Sequence, residues 1–364
     1  MFAGFSIGSE YSTAVYGTCF FMFTVASSFR TQHSKHILAA RSAALNDSPK
    51  IDRFDHVLIE IQQPRSGPNK ITQTLKNDDI LTRIVPMVDK SLYVYICASL
   101  DLPKSVVCEY ISDTYSRIWD EMLQSKRLTI NCVVVGDVYG SDFISQKQMR
   151  SLPELNAVFS FDADSKESIQ ILRSESQLSE ISFVHTNSLI DNQLSIPVSP
   201  GKSTIYYFDA DNVHIPRYRK VALGGTFDKL HNGHRKLLTL AAASSSDTLV
   251  VGVMGDDLLK KKAKSELIAT YSERKEIVTK FLAIAKPSLT YEILELSDPF
   301  GPTITDPTID AIVVSSETIS GANKINQLRT EKGMLPLVIL VSRRSGAATM
   351  SSTFIRETLS SIDS

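Results

Sequence analysis

Residues 221–243 read VALGGTFDKLHNGHRKLLTLAAA, setting three glycines, a threonine, an aspartate and two histidines between an apolar run and a helix-forming one. Gly224 and Gly225 end the apolar run; lacking side chains, they let the backbone approach a bulky ligand closely. Thr226 follows with a hydroxyl donor, and His231 and His234 flank Gly233 at the predicted first turn of the next helix. A helix start offers unpaired N–H groups and a partial positive charge, so it suits phosphate. Imidazole donors placed there could hold the non-bridging oxygens of a nucleotide α-phosphate, where charge grows as the phosphorus is attacked. A glycine pair alone makes a tight turn, and a first-turn histidine alone can cap a helix. The ordered set G-G-T-F-D-x-x-H-x-G-H between a strand and a helix is far more specific than either.

That set resembles the H-x-G-H or T-x-G-H nucleotidyltransferase superfamily, which also includes cytidylyltransferases and, more distantly, class I aminoacyl-tRNA synthetases. Three further segments are similar to the eukaryotic type of phosphopantetheine adenylyltransferase. GDDLLKKKAKSELIATYSERKEIV carries Lys262 and Arg274 at that family's lysine and arginine, DPFGPTITDPTIDAIVVSSETISG matches its D-P-x-G-P-T…VVS-x-ET region, and MSSTFIRETL looks like its S-S-T-x-I-R helix start. The resemblance covers roughly the last 40% of the chain. It departs from choline-phosphate cytidylyltransferases, where R-Y-V-D-E-V is expected and TYSERKEIV stands, and from synthetases, whose K-M-S-K-S loop is replaced by SSTFIR.

The resemblance implies adenylyl transfer from ATP, with Mg²⁺ carried by the nucleotide, to 4′-phosphopantetheine, giving dephospho-CoA and pyrophosphate in coenzyme A biosynthesis. It implies His234, His231, Lys262 and Thr226 as catalytic residues, and Thr226, Lys262 and Arg274 against the acceptor. ATP would be held by Gly224, Gly225, Thr226, Phe227, Gly233, His234, Ser315, Glu317, Ser351, Ser352, Thr353 and Arg356. No protein metal ligand is expected. Other enzymes of coenzyme A synthesis are expected partners, and coenzyme A, which shares the pantetheine arm, an expected feedback inhibitor. Two alternatives stand beside this: a cytidylyltransferase acting on another phosphorylated alcohol, and a non-catalytic nucleotide-binding scaffold.

Some of these residues also have plainer uses. Four lysines lie among residues 260–264, and such a run is ordinarily a solvated patch. Ser351, Ser352 and Thr353 stand where a helix is predicted to begin, where hydroxyls normally cap. Arg356, one turn in, could bring a guanidinium to the same phosphate oxygens.

The elements that position these residues follow from periodicity. From residue 218 the chain alternates: KVALGG, TLVVGVM, YEILEL, DAIVVS and LPLVILVS read as strands. Between them GHRKLLTLAAA, SERKEIVTKFLAIAK and INQLRTEKG read as helices, with a last helix from Ser352 and a capping box from Thr270 to Glu273. Such β-α alternation predicts a doubly wound parallel sheet, Rossmann-like, with ligands at the carboxyl ends of its strands. Between residues 54 and 185 the runs HVLIEI, LYVYICASL, LTINCVVVG, AVFSF and ISFVH predict strands of a separate N-terminal α/β domain. Val107, Ile111, Tyr115, Ile118 and Met122 fall on one face of a helix there, and no catalytic motif appears.

The predicted organisation is a weakly patterned segment over 1–50, an α/β domain over 51–194, a linker over 195–217 and a nucleotidyltransferase domain over 218–364. The linker contains Gly201–Lys202–Ser203–Thr204, but Ile196 stands where a Walker A loop needs its first glycine, so neither a phosphate loop nor a fused kinase is expected.

With 39 basic and 40 acidic residues the chain has no general attraction to nucleic acid. Cys19, Cys97, Cys108 and Cys132 lie far apart without zinc-ligand spacing and read as free thiols of a reducing, cytosolic compartment. Residues 11–29 are uncharged and apolar, but the preceding MFAGFSIGSE has no Lys or Arg and the densest apolar part is short of about 20 residues, so a buried strand is expected there, with no membrane association.

Overall fold

The computed structural model describes residues 53–64, 69–98, 102–138, 142–189, 217–260, 262, 264–342 and 351–362. Residues 11–29, Cys19 and all but the last residue of the 195–217 linker lie outside the described residues. Arg53–Ser364 forms one compact unit holding two five-stranded parallel sheets.

The first sheet comprises β1 (Phe54–Gln62), β2 (Val88–Cys97), β3 (Asn131–Gly136), β4 (Ala157–Ser160) and β5 (Ser182–His185), in the order β3-β2-β1-β4-β5. Its helices are α1 (Asn69–Ile84), α2 (Lys104–Gln124), α3 (Gln146–Arg150) and α4 (Ser165–Glu175). The second sheet comprises β6 (Tyr218–Gly225), β7 (Ser245–Met254), β8 (Thr290–Leu296), β9 (Ala311–Ser315) and β10 (Val338–Ser342), in the order β10-β9-β6-β7-β8. With it go α5 (Asn232–Ser244), α6 (Asp256–Leu259), α7 (Tyr271–Ala285), α8 (Ile319–Glu331) and α9 (Ser352–Ile362).

Parallel strands must be covered on both faces, because the helical crossovers lie on the faces. Alternation along β6 shows how. Val221 and Leu223 pack with Leu238 and Ala241 of α5 and Val278 and Phe281 of α7. Ala222 points the other way, into a cluster with Ala322 and Ile325 of α8. The face predicted from Val107, Ile111, Tyr115, Ile118 and Met122 is the buried face of α2. The expected capping box is formed, with Thr270 accepting from the Glu273 N–H at the start of α7.

The two sheets share a continuous core. Leu58, Tyr93 and Val133 of the first lie in one apolar cluster with Val221, Leu249 and Phe281 of the second, and Leu240 and Ala243 of α5 join the cluster beneath α1 and α2. In the second sheet β6 connects outward to β7 on one side and pairs with β9 on the other, so the strand order reverses between β6 and β9. Open α/β sheets bind ligands at such a reversal, beyond the carboxyl ends of the strands.

Candidate active site

A cavity of 760 Å³ opens at that place, and every site residue expected from the sequence lines it except Arg274. Gly224 and Gly225 end β6 at its floor. A Cβ on Gly225 would press on the Phe227 ring at 3.1 Å, tighter than ordinary contact, so packing disfavours a side chain there. At Gly224 the nearest atoms would be 3.6 and 3.7 Å away, ordinary contacts, so packing does not require a glycine there.

The chain then turns sharply. Phe227 (φ 53°) and Lys229 (φ 47°) both adopt the left-handed region, uncommon for residues with a side chain. Asp228, between them, is fully buried. Its carboxylate accepts from Arg356 Nη1 of α9 and from the Ala269 N–H at 3.4 Å, while its carbonyl accepts from Ser352 Oγ at 2.8 Å. The turn after β6 and the start of α9 are therefore one connected structure. Arg356 also donates to Thr353 Oγ1 at 3.2 Å.

His231 precedes α5 and His234 lies in its first turn. Their rings stack, with centroids 3.9 Å apart and planes 23° from parallel, and the Phe227 ring lies 5.4 Å from His234. Burial, and then the Arg235 guanidinium, push His231 down to about 4. His234 is held well below the ordinary histidine value by burial first, then by His231, Arg235 and Lys262. Two stacked imidazoles in such a field are neutral at pH 7, and each retains one N–H to donate. Neither Nδ1 has a hydrogen-bond partner among the described residues.

Across the cavity Lys262 Nζ donates to Thr226 Oγ1 at 2.7 Å. Burial, followed by the Arg356 charge, lowers Lys262 from the usual lysine range. Thr226 Oγ1 also reaches Met254 Sδ at 3.4 Å. Ser315 and Glu317, at the end of β9 and in the turn that follows it, form a further wall, and Ser351, Ser352 and Thr353 bring in the start of α9.

Arg274 is placed differently. It is fully buried, and its guanidinium donates to the carbonyls of Ala269 (2.8 Å) and Thr226 (2.7 Å) and to Asp256 Oδ1 (2.7 Å). From there it fixes the main chain that carries the Thr226 hydroxyl.

Comparison with known proteins identifies the fold family. Residues 222–362 match the cytidylyltransferase-like family model. The chain is 41% identical over 160 residues to the phosphopantetheine adenylyltransferase of Saccharomyces cerevisiae, covering 42% of this chain and 51% of that one. It is 41% identical to the phosphopantetheine adenylyltransferase of Methanopyrus kandleri over 35% of this chain and 80% of the relative. With that of Pyrobaculum aerophilum it shares 35% identity over 39% of this chain and 93% of the relative. The chain belongs to the phosphopantetheine adenylyltransferase family. It spans about half the length of the yeast relatives it matches.

Within this family member, three residues that the sequence did not single out shape the site. Asp228 stands inside the quoted motif, and its signal was an acid two residues beyond Thr226 in a loop otherwise made for anions. Asn232 and Arg235 sit in the motif helix but face the first half of the molecule, Asn232 toward α2 and Arg235 toward β3. Asn232 Nδ2 donates to the Tyr115 carbonyl at 2.9 Å, and Arg235 donates to the Leu230 and Cys132 carbonyls (2.8 and 3.1 Å) and to Asn131 Oδ1 (2.9 Å). Among the described residues no group of three or more His, Cys, Asp or Glu could hold a metal ion, and no helix is long and apolar enough to cross a membrane.

Proposed function

We propose that this chain transfers the adenylyl group of ATP to 4′-phosphopantetheine, forming dephospho-CoA and releasing pyrophosphate. One observation carries the proposal: the stacked His231–His234 pair, the Lys262–Thr226 pair and the start of α9 line a single cavity at the strand-order reversal. Family membership supports the same activity.

The acceptor is already a phosphate dianion, so no protein nucleophile is needed. One of its oxygens forms a new bond to the α-phosphorus while the bond to the bridging oxygen of the pyrophosphate breaks, and pyrophosphate leaves with that electron pair. Catalysis is then positioning plus stabilisation of growing charge. Thr226 orients the attacking phosphate and Lys262 neutralises it, its position fixed by the 2.7 Å bond between them. The neutral imidazoles of His231 and His234 donate to the α-phosphate oxygens, and can do so without first shedding a solvation shell. Ser351, Ser352, Thr353 and Arg356 hold the leaving pyrophosphate portion through a helix start and a guanidinium. Mg²⁺ carried by ATP would offset charge on its phosphates. Gly224, which packing does not demand, leaves room for the nucleotide. Arg274 acts on the acceptor only indirectly, through the Thr226 main chain.

A cytosolic setting belongs to this proposal and is supported by Cys97, Cys108 and Cys132, which are free; burial pushes each thiol up to about 12, so none is a reactive thiolate. The test is mass analysis of the product from ATP, Mg²⁺ and 4′-phosphopantetheine, with CTP as the competing donor. Dephospho-CoA formed from ATP, and no cytidylyl product, is the expected result. Preferential use of CTP would replace the proposal with a cytidylyltransferase.

A further inference from the structure

The strand orders of the two sheets are the same. Counting each sheet's strands along the chain, both run third, second, first, fourth, fifth. The likeness extends to single residues. Phe54 pairs with Val88 and His56 with Ser91 across a break in register; Tyr218 pairs with Ser245 and Lys220 with Thr248 across the same break. Val57 lies between Leu92 and Ala157 as Val221 lies between Leu249 and Ala311.

Two side-chain networks repeat as well. The His56 N–H donates to Asn156 Oδ1 at 2.9 Å, and the Lys220 N–H to Asp310 Oδ2 at 2.9 Å. Buried Arg173 donates Nε to the Ser179 carbonyl and Nη1 to the carbonyls of Arg150 and Leu152. Buried Arg329 donates Nε to the Leu335 carbonyl and Nη1 to those of Thr303 and Asp306. A shared topology alone could be convergence on a common fold. A shared bulge, a shared carboxamide or carboxylate bond to the strand and a shared buried arginine do not follow from topology.

This register sets Glu60 in the place of Gly224 and Tyr95 in the place of Gly252. Glu60 is fully buried, and Arg150 grips both its oxygens, Nε to Oε1 at 2.6 Å and Nη2 to Oε2 at 2.8 Å. A carboxylate and a guanidinium thus fill the place that Gly224 leaves without a side chain at the end of β6, while Leu296 packs over Gly252 beside it. Residues 60–72, EIQQPRSGPNKIT, contain no histidine.

The first half nonetheless bears on the active site of the second. Trp119, the only tryptophan in the chain and fully buried in α2, lies 6.3 Å from the His231 ring. The Tyr115 carbonyl and the β3 edge accept the bonds from Asn232 and Arg235 that fix the motif helix.

We propose that residues 54–188 are a second copy of the nucleotidyltransferase domain, its nucleotide site closed by Glu60 and Arg150, and that it now positions His231 of the working copy through Trp119. The kinetic part of this rests on the adenylyl-transfer function proposed above; the binding and spectroscopic parts do not.

Two measurements on the full chain test it. Calorimetry with Mg²⁺ and α,β-methylene-ATP counts nucleotide sites. One site per chain, unaffected by Arg150→Gln, is expected; a second site that Arg150→Gln abolishes would overturn the closed copy. Trp119→Ala and Trp119→Phe are then compared by histidine NMR titration and by kinetics. In Trp119→Ala the His231 midpoint should rise by about one pH unit and kcat should fall about tenfold with KM for ATP held within about twofold, and Trp119→Phe should restore both. An unchanged His231 midpoint and unchanged kcat in folded Trp119→Ala would overturn the positioning role. If Trp119→Ala does not fold, Asn232→Ser cuts the neighbouring bond to Tyr115 and is read the same way. If adenylyl transfer is not the reaction, wild type shows no turnover, while the site count and the His231 midpoint still decide the proposal.

Discussion

Asp228→Asn is the sharpest perturbation of the site, because one buried carboxylate joins the turn after β6 to the start of α9. Asp228 is fully buried and the Arg356 side chain is 4% exposed, so the asparagine variant takes from an interior guanidinium the negative charge that Asp228 supplies. Removing one member of a buried pair costs about 3–5 kcal/mol. The new amide oxygen can still accept one hydrogen bond, and the Ser352 bond goes to the Asp228 carbonyl, which the substitution keeps. The lower end, about 3 kcal/mol, is therefore expected, a fall in Tm of roughly 4–6 °C. Part of that loss should appear as local release of α9, the last described element, which presents Ser351, Ser352, Thr353 and Arg356 to the cavity. The result would be a fall in kcat/KM for ATP of about tenfold to a hundredfold. Thermal unfolding and steady-state kinetics read the two effects separately. Adding Arg356→Met removes the buried positive charge as well and should recover much of the Tm but none of the activity. A single variant with Tm within about 2 °C of wild type and kcat/KM within about threefold would refute the coupling.

Gly224→Ala should leave stability within about 0.5 kcal/mol, since its Cβ meets nothing closer than 3.6 Å, yet raise KM for ATP about tenfold; Gly225→Ala, at 3.1 Å from the Phe227 ring, should cost about 1–3 kcal/mol in a denaturant melt. Lys262→Ala should weaken kcat/KM for 4′-phosphopantetheine by about tenfold to a hundredfold, the worth of one charge-assisted bond, measured at saturating ATP. His231 has a lowered folded value of about 4 against 6.5 when free, so the unfolded chain takes up its proton first as pH falls. That contribution to stability is intact above about pH 6.5 and is lost downward to about pH 4, at a limiting slope of about 1.4 kcal/mol per pH unit, and His231→Gln should flatten that part of a urea-melt profile.

Much of this was legible in sequence because parallel strands are continuous apolar runs and the motif has fixed spacing. All ten strands were expected, and α2, α5, α7 and α9 followed from periodicity or from a cap. The helix α1 was not, since NKITQTLKNDDILTRI is rich in Thr, Asn and Asp, and Ile80, Leu81 and Ile84, buried, fall in its last turns. The helix α4 likewise buries little beyond Ile169 and Arg173. The start of α8 lies at Ile319, six residues before the INQLRTEKG pattern, because Ser320, Gly321 and Asn323 obscure its first turns. In the site, residue types marked the cavity wall but could not tell a wall from a strut. Arg274 has the charge of a phosphate ligand, yet it is spent on three main-chain and carboxylate acceptors. Asn232 faces α2 and Arg235 faces β3, and only tertiary structure brings Tyr115, Cys132 and Asn131 to them.

The central claim is tested most directly by pyrophosphate release from the purified full chain given ATP, Mg²⁺ and 4′-phosphopantetheine, with folded His234→Ala beside it. Release that requires both substrates and falls about a hundredfold or more in the variant is predicted, the usual loss when a transition-state donor is removed. Wild-type chain that binds ATP but releases no pyrophosphate, or a His234→Ala variant within about tenfold of wild type, would contradict it.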